Sequence, residues 1–309
     1  MHDNQQHFVA PADEVEVLAT DRVVDAGSPT SIWGDAWRRL RRNPVFLVSV
    51  VLIAFVMLVV VWPSLFTSQD PRQCLGEFGM DGPRAGHPFG FDKQGCDVFA
   101  RTIYGARASV TVGIGSAILF LLVGGVLGAI SGFYGGLLDT IVSRIAEIFY
   151  AIPMVLAAIV LLQLLRPAGI TTVIAILVAF TWPQAARITR GAVIEAKNSE
   201  YVTAAKALGV SRFGTLMRHV LPNSASPLIV VATIWLGVFI VTEATLSYLG
   251  VGLPPDIVAW GADIDRAKNE IRTSPILFYP AGALAITVLS FIMLGDAVRD
   301  ALDPKERTR

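Results

Sequence analysis

The predicted fold class is an all-α membrane protein with six transmembrane helices, and two observations predict it. The chain of 309 residues is 53% hydrophobic and only 16% charged, against roughly 25% charged in soluble domains. Its apolar residues gather in charge-free runs at 43–69, 108–138, 148–165, 167–186, 219–242 and 273–295. A helix needs about 20 apolar residues to cross a hydrocarbon core of about 30 Å, and each run meets that length or reaches it with its flanks. Net charge is zero, from 25 Lys+Arg and 25 Asp+Glu, so no basic surface invites nucleic acid. So apolar a composition also excludes a disordered chain.

The elements follow in order. Residues 1–30 read as a disordered cytoplasmic tail without a cleavable signal, with six acidic residues against Arg22 alone. Over 31–43, Trp33, Trp37 and Leu40 recur at helical spacing among Arg38, Arg39, Arg41 and Arg42. This is an amphipathic helix for the membrane surface or a basic flank of the first span, and either reading lies in the cytoplasm. The first span covers 44–66 and an extracytoplasmic loop covers 67–107. A helical core over 108–300 holds five further spans and an inner loop at 191–222, and 301–309 form a second cytoplasmic tail. With both termini inside, the inner segments hold 16 Lys/Arg and the outer segments nine, the bias expected of cytoplasmic loops.

Within the spans, Gly124, Gly128 and Gly132 stand four apart. They form either a seam for close helix approach or the ordinary glycine enrichment of membrane helices. Pro153 and Pro183 are expected to kink or loosen spans three and four. Glu147, near the inner end of span three, and Glu243, near the outer end of span five, read as helix-end anchors or as lining of a pathway. Ion-coupled carriers keep several ionisable groups near the midplane, which argues against a stand-alone secondary transporter and for an external energy source. No G-x-x-x-x-G-K-[ST], H-E-x-x-H or C-x-x-C occurs, so the chain offers no P-loop or paired metal motif.

The inner loop is the most informative stretch. Tyr201, Ala204, Ala205 and Leu208 can share one face of a short helix that opens at Glu200, and Gly209 is a natural stop. Ser211 can cap a second short helix, carrying Arg212, that ends before Leu221 and Pro222. Such a knob could enter a groove of another protein or pack internally.

Ala204-Ala205, three residues, Gly209 and then Leu221-Pro222 resemble the "EAA" signature of permease subunits in bacterial ABC importers, with Thr203 and His219 as departures from it. The segment from His87 to Ser109, including Gly90, Asp92, Gly95, Asp97, Arg101, Gly105 and Arg107, is similar to the stretch before span two in the dipeptide/oligopeptide permease family. Residues 38–44, Trp182-Pro183 with Ala186-Arg187, and Asp300 to Pro304 also look like the C-type subunit of those systems. The resemblance implies a type I ABC importer permease fold whose inner loop forms coupling helices. It implies a homologous second permease subunit, two ATPase subunits that carry ATP and Mg, an extracytoplasmic binding protein and a peptide substrate. It implies no bond chemistry and no cofactor in this chain. Nickel and glutathione importers share the family and stand as alternatives. Cys96 replaces the family's usual Arg. With Cys74 it makes the only two cysteines, both in the outer loop, read as a disulfide in an oxidising space or as two free thiols.

Overall fold

The computed structural model describes residues 32–302, so the tail expected over 1–30 and all but the first two residues of the tail expected over 301–309 lie outside the described residues. Among the described residues every regular element is helical. Helix α1 (Ile32–Leu40) is followed by α2 (Pro44–Val61). The side chain of Asn43 starts α2 by accepting from the backbone N–H groups of Val45 and Phe46, and Pro44 fits the first turn, where no N–H partner is needed. Of α2, only Ser49, Val56 and Val59 are buried. Its exposed Val48, Val51, Phe55 and Leu58 suit a helix solvated by lipid.

Helix α3 (Val98–Tyr134) begins ten residues before the apolar run that announced it, because Asp97 caps it by accepting from Phe99 and Ala100 N–H at 2.8 and 3.0 Å. At 37 residues it is about 55 Å long and overshoots a bilayer. Helix α4 (Gly136–Tyr150) and α5 (Met154–Leu164) are bent by 82° at the break before Pro153. The third span is therefore two half-helices rather than one kinked rod. The 11 residues of α5 reach only about 16 Å. Helix α6 (Ile170–Lys197), by contrast, runs through Pro183.

Two short helices, α7 (Glu200–Ala207) and α8 (Arg212–Thr215), precede α9 (Leu221–Tyr248). The expectation that the second short helix ends before Pro222 is corrected. A π-turn over Leu216–Val220 carries α8 directly into α9, so the helix continues through Pro222, which stands just beyond the turn. Helix α10 (Trp260–Ala267) and α11 (Phe278–Leu302) complete the fold. Among the described residues, five stretches are long and apolar enough to cross a membrane, and six if the bent pair counts as one span.

Helices α3, α6 and α9 form the centre, with α11 against α9 and α2. The core holds Val112, Phe120, Leu162, Leu177, Phe239 and Leu246, and Trp235 stacks on Phe120 with ring centres 5.2 Å apart. The glycine row faces α6. A Cβ at Gly124 would lie 2.2 Å from the Ala185 Cβ, one at Gly128 2.3 Å from the Ala186 carbonyl, and one at Gly132 2.9 Å from the Arg190 carbonyl. Only hydrogen side chains permit that backbone approach, which maximises dispersion contact where no hydrophobic effect drives helices together.

At the opposite end from α7, the loop between α2 and α3 is closed by a disulfide between Cys74 and Cys96. Gly95, at φ +75°, would place a Cβ onto the Leu75 carbonyl, so the crossing next to the disulfide requires glycine. Arg84 lies over Phe78 and Phe91 at 4.0 and 4.5 Å, and His87 bonds Asp97 at 2.5 Å. The loop is fastened to the bundle by Arg101. This side chain bonds Asp263 of α10 at 2.8 and 2.5 Å and the Pro71 carbonyl at 3.0 Å, all buried. The guanidinium is thereby paired and hydrogen-bonded, the condition for burying a charge.

Candidate functional site

Two places beyond the packed core can do mechanical or binding work: the α7–α8 knob and a polar cleft between α4 and α6. The knob is built from local signals. Gly209, at φ +84°, ends α7, with Val210 N–H bonding the Ala205 carbonyl and Gly209 N–H that of Lys206. This paired arrangement satisfies the last carbonyls of the helix. Ser211 then caps α8 by accepting from Gly214 N–H at 3.1 Å.

The structure divides the predicted loop residues between two faces. Val202 turns inward and packs with Ala129, Val193, Leu216 and Val220, against half-buried Leu221, and Ala205 is buried as well. Ala205 therefore lies on the buried face of α7, apart from the exposed Tyr201, Ala204 and Leu208 with which it is expected to share a face. Val202, three residues earlier and fully buried, is the partner that defines that face. Glu200, Tyr201, Ala204, Leu208 and Arg212 are exposed, as is Pro222. Leu208 is 86% and Phe213 65% exposed, and Tyr201 and Met217 are exposed as well. Large apolar side chains clustered on a short loop mark an interaction surface. Phe213 and Met217 were not singled out from the sequence, although their i, i+4 spacing on a capped helix was the available signal.

The cleft comes from residues far apart in sequence. Asp139, Ser143, Glu147 and Tyr150 recur along one side of α4, while Ile141, Ile145 and Ile148 line another and are exposed. Asp139 holds Arg190 of α6 through two bonds of 2.7 and 2.5 Å, and Tyr150 donates to Gln184 Oε1 at 2.5 Å. Arg187 lies 4.4 Å over the Tyr150 ring. Lys197 donates to the Gly132 carbonyl at 2.6 Å, closing the inner end of the glycine seam. A cavity of about 200 Å³ opens between the helices, lined by Ser131, Ser143, Glu147, Pro183, Arg187 and Arg190 among others.

The two singled-out glutamates have different surroundings. Glu147 is exposed and bonds Arg144 at 2.8 Å, one turn back on α4. Glu243 is fully buried in α9, and its Oε1 accepts from the Ser247 hydroxyl at 2.7 Å. The structure does not bring them together. Among the described residues no cluster of three His, Cys, Asp or Glu side chains could hold a metal ion.

Residues 124–308 match the family model described as binding-protein-dependent transport system inner membrane component. The chain belongs to that family. The match takes in the glycine seam, the cleft and the knob of this inner-membrane component. Its residues 31–76 match a second model, the N-terminal TM domain of oligopeptide transport permease C. The permease is 39% identical over 278 residues to the oligopeptide transport system permease protein OppC of Bacillus subtilis strain 168, covering 90% of this chain and 91% of that protein. It is 37% identical to the dipeptide transport system permease protein DppC of the same organism, covering 98% and 96%. The glutathione transport system permease protein GsiD of Pectobacterium atrosepticum is 32% identical, covering 94% and 96%. Among solved structures, an inward-facing conformation of the MetNI methionine ABC transporter shares the fold. Its TM-score is 0.55 at 20% identity, over 66% of this chain and 96% of that one. The permease thus has the type I fold and is a membrane component rather than an enzyme.

Proposed function

We propose that this permease is the C-type subunit of an ATP-driven ABC importer for oligopeptides or dipeptides, in the bacterial plasma membrane with both termini cytoplasmic. What carries the reading is that peptide-permease relatives at 37–39% identity cover nine-tenths or more of the chain, beside the oligopeptide-permease match at residues 31–76. Glutathione permeases at 32% identity rank behind. The disulfide loop faces outward, where an extracytoplasmic binding protein delivers the peptide, and α1 rests on the inner membrane surface. A homologous second permease subunit supplies the other wall of the pathway. Two ABC subunits bind ATP and Mg, and this chain binds neither.

Energy enters at the knob. Tyr201, Leu208, Phe213 and Met217 offer apolar contacts to an ATPase subunit, with Glu200, Ala204 and Arg212 at the rim. Gly209 fixes the angle between α7 and α8. Val202, Val220 and Leu221 tie the knob to the bundle, with Ala205 and Pro222 beside them in the chain, and the π-turn makes α8 continuous with α9. A push on the knob therefore moves a span that crosses the core, which is how a local contact biases two packed states of the whole bundle. The mechanism is alternating access. Glu147 and Glu243 belong to the moving bundle, Glu147 at its open inner face. The test is Leu208→Lys. A desolvated ammonium at the docking surface costs several kcal/mol, so the chain should insert normally while ATPase subunits dissociate on purification and uptake falls at least tenfold. Full uptake with the ATPase still bound refutes docking at this face.

A further inference from the structure

Arg187 is the residue of the α4–α6 cleft whose charge the fold leaves unmatched. Arg190 is held by Asp139 through two bonds, and Arg144 by Glu147. Among the described residues Arg187 has neither an ion pair nor a hydrogen bond, only the face of Tyr150 at 4.4 Å. That ring is itself fixed by the bond from Tyr150 to Gln184. The guanidinium is thus aimed by a rigid aromatic platform, with its donors available and its edge on the cavity of about 200 Å³. A charge in a spanning segment is tolerated when it faces a water-filled path rather than lipid. The cleft also adjoins the 82° break between α4 and α5, and interrupted helices are where transporters place substrate contacts.

We propose that Arg187 is a carboxylate-binding residue of the translocation path, receiving the C-terminal carboxylate of the peptide. The proposal rests on the peptide-importer reading. A guanidinium fork matches a carboxylate with two parallel N–H···O bonds. The cavity has room for a chain end and not for a whole oligopeptide, so it reads a feature common to all peptides and is indifferent to their side chains. Ser131 and Ser143 line the same space with their hydroxyls engaged, Ser131 by the Gly128 carbonyl at 3.1 Å and Ser143 by Asp139, so the guanidinium is the group left to take the carboxylate. Glu147, on the cavity wall and already engaged by Arg144, adds a negative charge that keeps the site from holding the carboxylate tightly, as release into the cytoplasm requires.

The experiment compares uptake of one peptide as free acid and as C-terminal amide by the complete complex in proteoliposomes. Each variant is normalised to wild type for each peptide, so that any preference of the binding protein cancels. Arg187→Gln should lower kcat/KM for the acid about tenfold and leave the amide within twofold. Tyr150→Leu keeps the guanidinium but removes its platform, and should lower the acid alone by a smaller factor. An equal loss for acid and amide, or no loss for either, overturns the proposal. If Arg187→Gln fails to assemble, the acid-to-amide ratio in Tyr150→Leu decides, and an unchanged ratio overturns it. Wild-type complex that imports neither peptide would instead defeat the peptide-importer reading, and this site with it.

Discussion

Replacing Gly128 by alanine adds one methyl group at the tightest backbone approach between α3 and α6. Its carbon would stand 2.3 Å from the Ala186 carbonyl oxygen and 2.8 Å from the Thr189 Cβ, where ordinary contact begins at 3.4 Å. The obstacle is backbone, which has no rotamer to yield, so the helices must part by about 1 Å at this level. Overpacking of this kind costs about 1–3 kcal/mol. Alanine's helix propensity returns about 1 kcal/mol, leaving a net loss of up to about 2 kcal/mol. At about 2–4 °C per kcal/mol for chains near this size, the detergent-extracted complex should melt several degrees lower. Gly191→Ala is the matched control, because it lies within α6 and its Cβ would meet nothing within 4 Å. It gains propensity without collision and should melt at or slightly above the wild-type temperature. Recovery of intact complex after heating reads both variants. Indistinguishable melting of Gly128→Ala and Gly191→Ala would refute the packing argument.

Two further outcomes are expected. Denatured, unreduced protein should resist a thiol-reactive mass tag until reductant is added, and Cys74→Ser should lower stability by roughly 3 kcal/mol, the cost for a closed loop of about this length. Labelling of both cysteines without reductant would remove the disulfide. Arg101→Gln leaves Asp263 buried without its charge partner and should cost about 3–5 kcal/mol. It should open the 62–97 loop to protease, whereas cleavage unchanged from wild type would mean that the Arg101–Asp263 pair does not fasten the loop.

The sequence reveals what is local and hides what is distant. Charge-free runs announce the spans because apolar length is a property of contiguous residues. The four-residue spacing of Gly124, Gly128 and Gly132 likewise survives into three dimensions as the face on α6. The start of α3 was hidden because Arg101 and Arg107 interrupt the apolar run. Their compatibility with a helix depends on Asp263, 162 residues away, and on the Val60 and Val61 carbonyls of α2. Ala205 departs from the face expected of it because α7 is apolar on two sides, one buried through Val202 and one exposed through Leu208. Hydrophobic spacing cannot choose between them. The cleft had no signature, since Asp139 and Arg190 meet across 51 positions. Arg187 was visible only as part of a family-like motif, without a role.

The central claim is that this chain converts ATP hydrolysed by separate subunits into peptide movement across a membrane. Its most direct test is the purified assembly of two permease and two ATPase subunits in proteoliposomes, with the ATPase side facing out. The vesicles are loaded with binding protein and a labelled peptide, and ATP is added outside. Peptide should leave the lumen, which is import in the cell's orientation. That export should require ATP, Mg and binding protein together and should stop with Leu208→Lys. Peptide movement by the lone chain without ATP, or no movement with every component present, would contradict it.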